Sequence, residues 1–341
     1  MYGVSLALAA AVLFGASAPV AKLLLRSFDP LQLAGFLYIG AAVAMVPAVI
    51  SERARFGRVT VDVRNRARLA GVVVLGGAIA PTMLLVALRM TTAGTVSLLL
   101  NFEMVATAVL GAALFDEHLG RSAWLGVAGV VVASAALAGE SGRAGWVATL
   151  LVGGACLCWG ADNLLSAVID GMTPARSTLW KGAVAGSMNA ALGLMQAPLR
   201  ATGVAVTAAI AVGAVAYGAS IALHTAAAQR IGAVRAQGVF ASAPFIGAAF
   251  SIVLLGERMT TLQGIAAVIF VGAVAMLVAG RHVHLHAHGA AQHLHTHTHD
   301  DGHHVHEHPE GVTAAHTHWH QHEPVVHAHR HWPDLHHRHS H

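Results

Sequence analysis

The chain has 341 residues, of which 56% are hydrophobic and only 11% are charged, and its mean hydropathy is +0.63. Soluble globular domains carry about 25% charged residues, so this composition excludes an ordinary water-soluble domain and favours an integral membrane protein. The formal net charge of +4 does not indicate a nucleic-acid-binding protein, because the arginines stand at the ends of apolar runs, where they orient membrane helices.

Apolar runs follow one another along the chain before its last 61 residues. A membrane span needs about 20 mainly apolar residues. The first run is interpreted as a span rather than a cleaved leader, because it lacks a basic start and exceeds the length of a leader's apolar segment. The sequence predicts ten spans, at roughly 3–25, 32–50, 69–88, 93–115, 122–139, 146–167, 177–197, 204–227, 232–255 and 261–280.

One connection between these spans is strongly basic. Cytoplasmic loops are enriched in Lys and Arg, so this loop is predicted to lie in the cytoplasm. With ten spans, both termini are then cytoplasmic, and we expect a multi-pass protein of the bacterial inner membrane. The connection is residues 51–68, and its arginines are Arg53, Arg55, Arg58, Arg64, Arg66 and Arg68.

The first five predicted spans resemble the second five. A shift of 140 residues places Glu117 on Glu257, and a shift of 145 places Phe14-Gly15-Ala16 on Trp159-Gly160-Ala161. Because five is an odd number of spans, the second copy must have the opposite orientation in the membrane. Inverted repeats are typical of secondary transporters, which bind substrate between the two halves near the middle of the bilayer.

The predicted fold is therefore an all-α integral membrane protein with ten transmembrane helices, arranged as two inverted five-helix repeats and followed by a disordered tail. The repeats are predicted at residues 1–139 and 146–280, and the tail at residues 281–341. One monomer is long enough to form a complete central cavity, and a dimer is also compatible with the sequence.

Four segments carry a resemblance to the EamA-type members of the drug/metabolite transporter superfamily. They are LFGASAPVAKLLL in span 1, LLLNFEMVATAVLGAALFDEHLG in span 4, CWGADNLL in span 6 and VFASAPFIGAAFSIVLLGERMT in span 9. The resemblance covers residues 1–280 and implies a transporter, not an enzyme, with two inverted bundles around a cavity and transport by alternating access. Span 9 has the proline that such proteins usually show, Pro244, whereas span 4 has Met104 there, preceded by Glu103.

Polar residues inside spans are candidates for function, because a charge at the centre of a membrane helix costs about 2.5–3.5 kcal/mol or more. Glu103, near the middle of span 4, is predicted to bind a cationic group or to carry a coupling proton; a structural carboxylate is the alternative. Asn101 stands about 200° around the helix from Glu103, so the two do not face one cavity squarely. Asn101 is a candidate for substrate binding or for a hydrogen bond between helices.

Spans 6 and 8 each have a polar face. Trp159, Asp162, Asn163 and Ser166 follow a spacing of i, i+3, i+4 and i+7, which places them on one side of a helix. We predict that they line a substrate cavity; a position near the membrane surface or packing against span 7 is the alternative. Span 8 adds two candidates, Tyr217 and His224, although a single histidine on such a face is more often a structural residue.

Charged residues near the ends of spans are interpreted more simply. Lys22 and Lys181 are predicted to extend to the membrane interface. Glu117 and Glu257 precede spans 5 and 10 and are predicted to stabilise the N-termini of those helices, with gating contacts to loop arginines as the alternative. The cavity is predicted to be lined by spans 1, 3, 4, 6, 8 and 9.

The tail contains 23 of the 25 histidines, mostly in alternation with other residues. No run within it is suited to form a core, which predicts disorder. In an extended chain, alternating histidines lie on one side about 7 Å apart, so two or three imidazoles can bind one Zn, Ni, Co or Cu ion. A solvated low-complexity tail and a pH-responsive polycation are the alternatives. The candidate ligands are His282, His284, His286, His288, His293, His295, His297, His299, His303, His304, His306, His316, His318, His320 and His322.

Together these features predict a secondary active transporter that exports a small metabolite or drug-like solute. Its tail is predicted to sense or buffer divalent cations. One alternative is a divalent metal exporter for Ni, Co or Zn. Another is a non-transporting membrane protein that stores or senses metal. The expected partners are the lipid bilayer and a small-molecule or metal-ion substrate; no cofactor is required and no nucleic acid is expected.

Overall fold

The computed structural model describes residues 2–56, 62–115, 120–140, 142–169, 172–279, 283–288, 291–297, 316–322 and 325–330. Up to residue 279, the described residues form helices joined by short connections. In chain order these are α1 (Tyr2–Gly15 and Ser17–Leu24), α2 (Pro30–Phe56), α3 (Val63–Gly71, Val72–Ile79 and Ala80–Met90), α4 (Ala93–Leu99 and Phe102–Phe115), α5 (Arg121–Glu140), α6 (Gly142–Ala167), α7 (Pro174–Gln196), α8 (Gly203–Val212, Gly213–Ala219 and Ser220–Ile231), α9 (Ala233–Phe240 and Ala243–Leu255) and α10 (Thr261–Ala279).

Most of these helices have the length and composition of membrane spans. Within the described ranges, eight meet both requirements, namely α1 to α6, α8 and α9. The helix α10 is apolar over the shorter range Thr261–Leu277, and α7 has 23 residues but includes charged and amide side chains. The prediction of an α-helical integral membrane protein is therefore confirmed for this part of the chain.

Two kinds of helix interruption occur in both halves. The middle parts of α3 and α8, Val72–Ile79 and Gly213–Ala219, are π-helical. The helices α4 and α9 are each broken in two, after Leu99 and after Phe240. In each case the two interruptions are separated by about 140 residues, the same shift that aligns the halves of the sequence. π-Helical turns are rare in proteins, and those that occur are often found at functional sites. These positions are therefore candidates for a role in function.

The basic connection after span 2 is shorter than predicted, because α2 continues to Phe56 and α3 begins at Val63. Arginine is a good helix former, so counting apolar residues alone ended the predicted helix too early. The Asp62 side chain accepts a hydrogen bond of 3.0 Å from the backbone N–H of Asn65, which caps the new helix start.

Glycines of α7 bring its backbone into contact with α2. A methyl group built on Gly186 would lie 2.7 Å from the backbone nitrogen of Ile39, and one on Gly182 would lie 2.6 Å from the carbonyl oxygen of Tyr38. Small residues allow such an approach in membranes, where helix association depends on close packing. This contact holds α7 beside α2 in spite of the polar residues of α7.

The helix α6 is central to the arrangement. It contacts α3, α4 and α5 of the first half, and also α8 and α9 of the second. The helix α1 packs against α8 and α9, and α10 packs along α5. A polar face of α6 is consequently enclosed by protein and kept away from lipid.

The structure describes four short segments of the tail, and the predicted disorder of the tail stays a prediction. Its four strands are β1 (Val283–His288), β2 (Ala291–His297), β3 (His316–His322) and β4 (Val325–Arg330). The strands β1 and β4 pair antiparallel, as do β2 and β3. Alternation with a period of two, with Val, Leu and Thr between the histidines, fits an extended strand.

We predict that Gly186→Leu lowers the free energy of unfolding by about 1–3 kcal/mol, because the new side chain must push α7 away from α2. The matched control is Gly153→Leu in α6, where a side chain would meet nothing within 4 Å. Thermal unfolding in detergent, followed by the loss of monodisperse protein, measures the difference. Equal unfolding temperatures for the two variants would show that the α2–α7 contact is not close.

Candidate functional site

A cavity lies between α1, α2, α4, α6, α7, α8 and α9. Its volume is about 50 Å³, which is enough to hold a few small atoms. One side of the cavity is polar and formed mainly by α4, α6 and α7. The other side is aromatic and formed by α1, α2, α8 and α9.

The polar side begins at Glu103 of α4. Its Oε1 accepts a hydrogen bond of 2.9 Å from the side-chain amide of Asn163 on α6. The same amide nitrogen lies 3.4 Å from the hydroxyl of Thr107 and 3.2 Å from the side-chain oxygen of Gln237 on α9. One asparagine thus joins α4, α6 and α9, and it holds the Glu103 carboxylate at the cavity wall.

An ion pair completes the polar side. Asp162 of α6 and Lys181 of α7 form a buried salt bridge through Oδ2 and Nζ. The other oxygen of Asp162 accepts a hydrogen bond of 3.2 Å from the hydroxyl of Ser166. Lys181 is 3% exposed and Asp162 is 4% exposed, so each charge depends on the other for compensation.

The π-helical turn of α3 supplies an anchor for two aromatic side chains. The carbonyl oxygen of Gly76 accepts hydrogen bonds from the hydroxyl of Tyr38 at 2.6 Å and from the indole nitrogen of Trp159 at 3.1 Å. A carbonyl with two lone pairs can accept both bonds. These contacts fix the two rings where α2 and α6 face the cavity.

The aromatic side is a continuous series of ring contacts. Tyr38 and Tyr217 lie 5.5 Å apart between ring centroids, Tyr217 and Phe14 lie 5.6 Å apart, and Phe14 and Phe240 lie 5.4 Å apart. His224 ends the series at 4.8 Å from Phe240. The Nε2 of His224 is buried and has no hydrogen-bond partner among the described residues.

Most of the predicted site residues meet at this cavity. Glu103, Trp159, Asp162, Asn163, Ser166, Tyr217 and His224 all line it. The i, i+3, i+4, i+7 spacing therefore identified one buried face of α6. That these residues bind a solute stays a prediction.

Asn101 does not line the cavity. It lies at the break of α4, where its amide donates a hydrogen bond of 2.8 Å to the carbonyl of Leu98. Its position two residues before Glu103 turns it to another side of the helix, as the helical geometry predicts. The predicted set of lining helices also changes, because α2 and α7 contribute lining side chains. The prediction that span 3 lines the cavity is wrong for the described residues: α3 contributes no lining residue and instead anchors Tyr38 and Trp159 through the Gly76 carbonyl.

The prediction for Lys181 is wrong, whereas the prediction that Lys22 extends to the membrane interface stays a prediction. Lys181 does not extend to the membrane interface, since it pairs with Asp162 inside the bundle. Lys22 donates hydrogen bonds of 2.5 Å and 2.6 Å to the carbonyl oxygens of Leu88 and Thr91, at the end of α3. Two further contributors, Tyr38 and Gln237, were not singled out from the sequence. Each is a polar side chain within an apolar run, and this is the signal by which the sequence could have identified it.

Glu257 stabilises a helix N-terminus, but not the one predicted. Its two carboxylate oxygens accept hydrogen bonds from the backbone N–H groups of Ala93 at 2.9 Å and Gly94 at 2.8 Å, at the start of α4. A carboxylate is favourable there because a helix N-terminus carries partial positive charge. Gln263 adds a hydrogen bond of 2.8 Å to the Thr95 hydroxyl. These contacts join α4 to the connection between α9 and α10; Glu117 lies outside the described residues.

The strand pairing of the tail places histidines opposite histidines. In β1 and β4, His284 is paired with His329 and His286 with His327. In β2 and β3, the pairs are His293 with His320, His295 with His318 and His297 with His316. The predicted ligands His282, His299, His303, His304 and His306 lie outside the described residues. Across the described helices, no group of three or more His, Cys, Asp or Glu residues is placed to hold a metal ion.

Comparison with known proteins identifies the family. A family model described as the EamA-like transporter family matches residues 1–139 and 146–279. The chain belongs to this family. As an EamA-like transporter it is a multi-pass membrane transporter of the drug/metabolite type, and its matched ranges end before the histidine-rich tail.

Two individual relatives agree with this assignment. An uncharacterized transporter of Methanothermobacter thermautotrophicus is 24% identical over 302 residues, which is 81% of this EamA-like transporter and 86% of the relative. A solved crystal structure of a protein is 14% identical, with a TM-score of 0.63, and the alignment covers 80% of this chain and 94% of that one. At this identity the structural likeness shows the fold alone.

We predict that Lys181→Met destabilises the protein by about 3–5 kcal/mol, because the Asp162 carboxylate is left buried without its cation. The double substitution Lys181→Met with Asp162→Asn should recover most of that loss, since both buried charges are then gone. Thermal unfolding of the single and double variants in detergent measures the coupling. Additive losses in the double variant would show that the two charges do not compensate each other.

Proposed function

We propose that this EamA-like transporter is a secondary active transporter that moves a small solute through the cavity beside Glu103. The observation that carries the proposal is the group of charged and amide side chains, all buried within membrane helices, around a space that holds a few small atoms. Charges inside membrane segments are costly and typically mark the path of a substrate or a proton. Glu103 is the group proposed to bind a cationic group or a coupling proton.

The proposed architecture is ten spans in two inverted repeats, at residues 1–139 and 146–280, with both termini in the cytoplasm of a bacterial inner-membrane protein. The π-helical turns of α3 and α8 and the breaks of α4 and α9 support it, because they recur at the repeat spacing. Broken helices near a midplane site are typical of such transporters. Residues 53–68, which hold six arginines, support the orientation.

Alternating access requires one end of the cavity to close while the other opens. With cytoplasmic termini, the contacts of Lys22, Glu257 and Gln263 with residues 88–95 lie at the outer end of the bundle. The contacts of Glu257 and Gln263 join the first half to the second half of the chain and would keep that end closed. Opening to the outside then requires Glu257 to leave the N-terminus of α4.

Solute export is tested by mass spectrometry of cells and culture medium. In cells that produce the wild type, we expect at least one small metabolite to change its distribution between cell and medium. We predict that Glu103→Gln removes at least about 90% of this change, which corresponds to about 1.4 kcal/mol of lost interaction. The control is Glu140→Gln, the same substitution at an exposed helix end, which should behave as the wild type. A medium that is unchanged in every strain contradicts the transport function.

Metal ions are proposed as regulators that bind the tail, where they are sensed or buffered. Cross-strand pairing supports this, because directly opposed residues of antiparallel strands have Cβ atoms about 4.5–5.5 Å apart. Neutral imidazole is a ligand of Zn, Ni, Co and Cu ions. Metal as cargo is the less favoured candidate, since the described helices hold no cluster of three metal-binding side chains.

A version that ends at Gly280 separates these two roles of metal. We predict that this truncation increases growth inhibition by Zn²⁺ or Ni²⁺ at least about twofold, because cytosolic imidazoles that buffer the ion are lost. Glu103→Gln should leave metal accumulation unchanged. Elemental analysis of cells grown with each metal provides the measurement. Metal accumulation that depends on Glu103 would instead indicate that the ion itself crosses the membrane.

A further inference from the structure

We infer that the transported solute is a small organic cation whose charged nitrogen carries N–H donors on an apolar body. Glu103 holds the charge, and His224 accepts one of the N–H groups. This inference rests on the proposed transport function and specifies the chemical class of the solute.

The charges that line the cavity favour a cation. Of the three charged lining side chains, Asp162 and Lys181 neutralise each other. Glu103 receives a hydrogen bond from the Asn163 amide, but among the described residues no cation pairs with it. A carboxylate in a site of low dielectric constant interacts most favourably with a positive partner, and the cavity offers that place to the solute.

The same ion pair disfavours anionic and zwitterionic solutes. A solute carboxylate would need Lys181, which is the one cation that lines the cavity in the described structure. Lys181 can reach such a solute only by leaving Asp162, which would then stay buried without compensation. The Asp162–Lys181 pair therefore selects against a carboxylate next to the ammonium group.

His224 selects for hydrogen-bond donors. Its Nε2 is buried at the cavity wall without a partner in the described part of the protein. With its proton on Nδ1, a neutral imidazole accepts a hydrogen bond at Nε2, and a buried polar atom without a partner costs about 1–3 kcal/mol. A primary or secondary ammonium has at least two N–H groups to donate, whereas a quaternary ammonium has none.

The aromatic side suits the rest of such a molecule. Phe14, Tyr217 and Phe240 present adjoining rings to the cavity, next to His224. Ring faces attract cations within about 6 Å of their centroids and also pack against alkyl groups. The cavity volume of about 50 Å³ means that only a small group, of a few non-hydrogen atoms, fits without further opening.

Propylammonium, with four non-hydrogen atoms, is the probe for this inference. Radiolabelled propylammonium is bound to purified wild-type protein in detergent, and two matched competitors are compared. One is 2-aminobutyrate, which adds a carboxylate to the same skeleton, and the other is 1-propanol, which replaces the ammonium by a hydroxyl. We expect both to compete at least about tenfold more weakly than unlabelled propylammonium. The alcohol 1-propanol loses the charge-assisted interaction with Glu103, and 2-aminobutyrate brings a carboxylate that has no cation to pair with.

Two substitutions assign the roles of the residues. Glu103→Gln should weaken propylammonium binding at least about tenfold, while Glu140→Gln should not change it. His224→Phe should weaken propylammonium binding without changing the weaker binding of tetramethylammonium, which has no N–H group. Size-exclusion chromatography checks that each variant is folded, and the competitor series on the wild type does not depend on any variant.

The outcomes separate this inference from the proposed function. Tighter binding of 2-aminobutyrate or of 1-propanol than of propylammonium overturns the cation class but leaves transport through the cavity intact. Equal affinity for propylammonium and tetramethylammonium overturns the role of His224. Absence of propylammonium binding, together with a metabolite that the wild-type cells export, also overturns the inference while the transport function stands.

Discussion

The ion pair between Asp162 and Lys181 is the interaction on which the arrangement of the cavity depends. Neither residue can be charged inside a membrane bundle without the other, so α6 and α7 must meet at one particular register. The helix α7 reaches that position because its glycines let it lie against the backbone of α2. The pair thus links a packing requirement to the electrostatic character of the cavity.

Other polar contacts extend this arrangement to both halves of the chain. Asn163 stands one residue after Asp162 and joins Glu103 of α4 to Gln237 of α9. Trp159, one turn earlier, is held by the carbonyl of Gly76 in the π-helical turn of α3. A single face of α6 consequently organises side chains from the first and second halves, which fits a site located where the halves meet.

The irregular parts of the helices give this rigid centre a means to move. The π-helical turns and the broken helices recur in both halves, and each exposes backbone groups that a regular helix would keep for itself. At the start of α4 in the first half, the carboxylate of Glu257 from the second half accepts hydrogen bonds from two backbone N–H groups. The hydrogen bonds of Glu257 involve neither Asp162 nor Lys181, so they can break while the ion pair stays intact. The proposed opening and the proposed binding of solute therefore depend on different residues.

Several of these features could be predicted from the sequence. The apolar runs identified the helices, and the spacing of Trp159, Asp162, Asn163 and Ser166 identified the polar face of α6. The partner of Asp162 could not be predicted, because it depends on how far α7 slides along α2 and not on any pattern within α7. Gln237 was hidden as well, because the few polar side chains of α9 form no periodic pattern. In the tail, the alternation of histidines with other residues has the period of an extended strand, and the described segments are strands.

The central claim is that the cavity beside Glu103 is reached in turn from both sides of the membrane. Its most direct measurement is cysteine labelling in a background with Cys156→Ala and Cys158→Ala, the two native cysteines. Ser220→Cys places a thiol at the buried cavity wall, and Ser134→Cys places one at a buried position of α5 away from it. A membrane-impermeant thiol reagent should label Ser220→Cys in both right-side-out and inside-out vesicles and should leave Ser134→Cys unlabelled. Labelling of Ser220→Cys from one side alone, or from neither side, would contradict alternating access to this cavity.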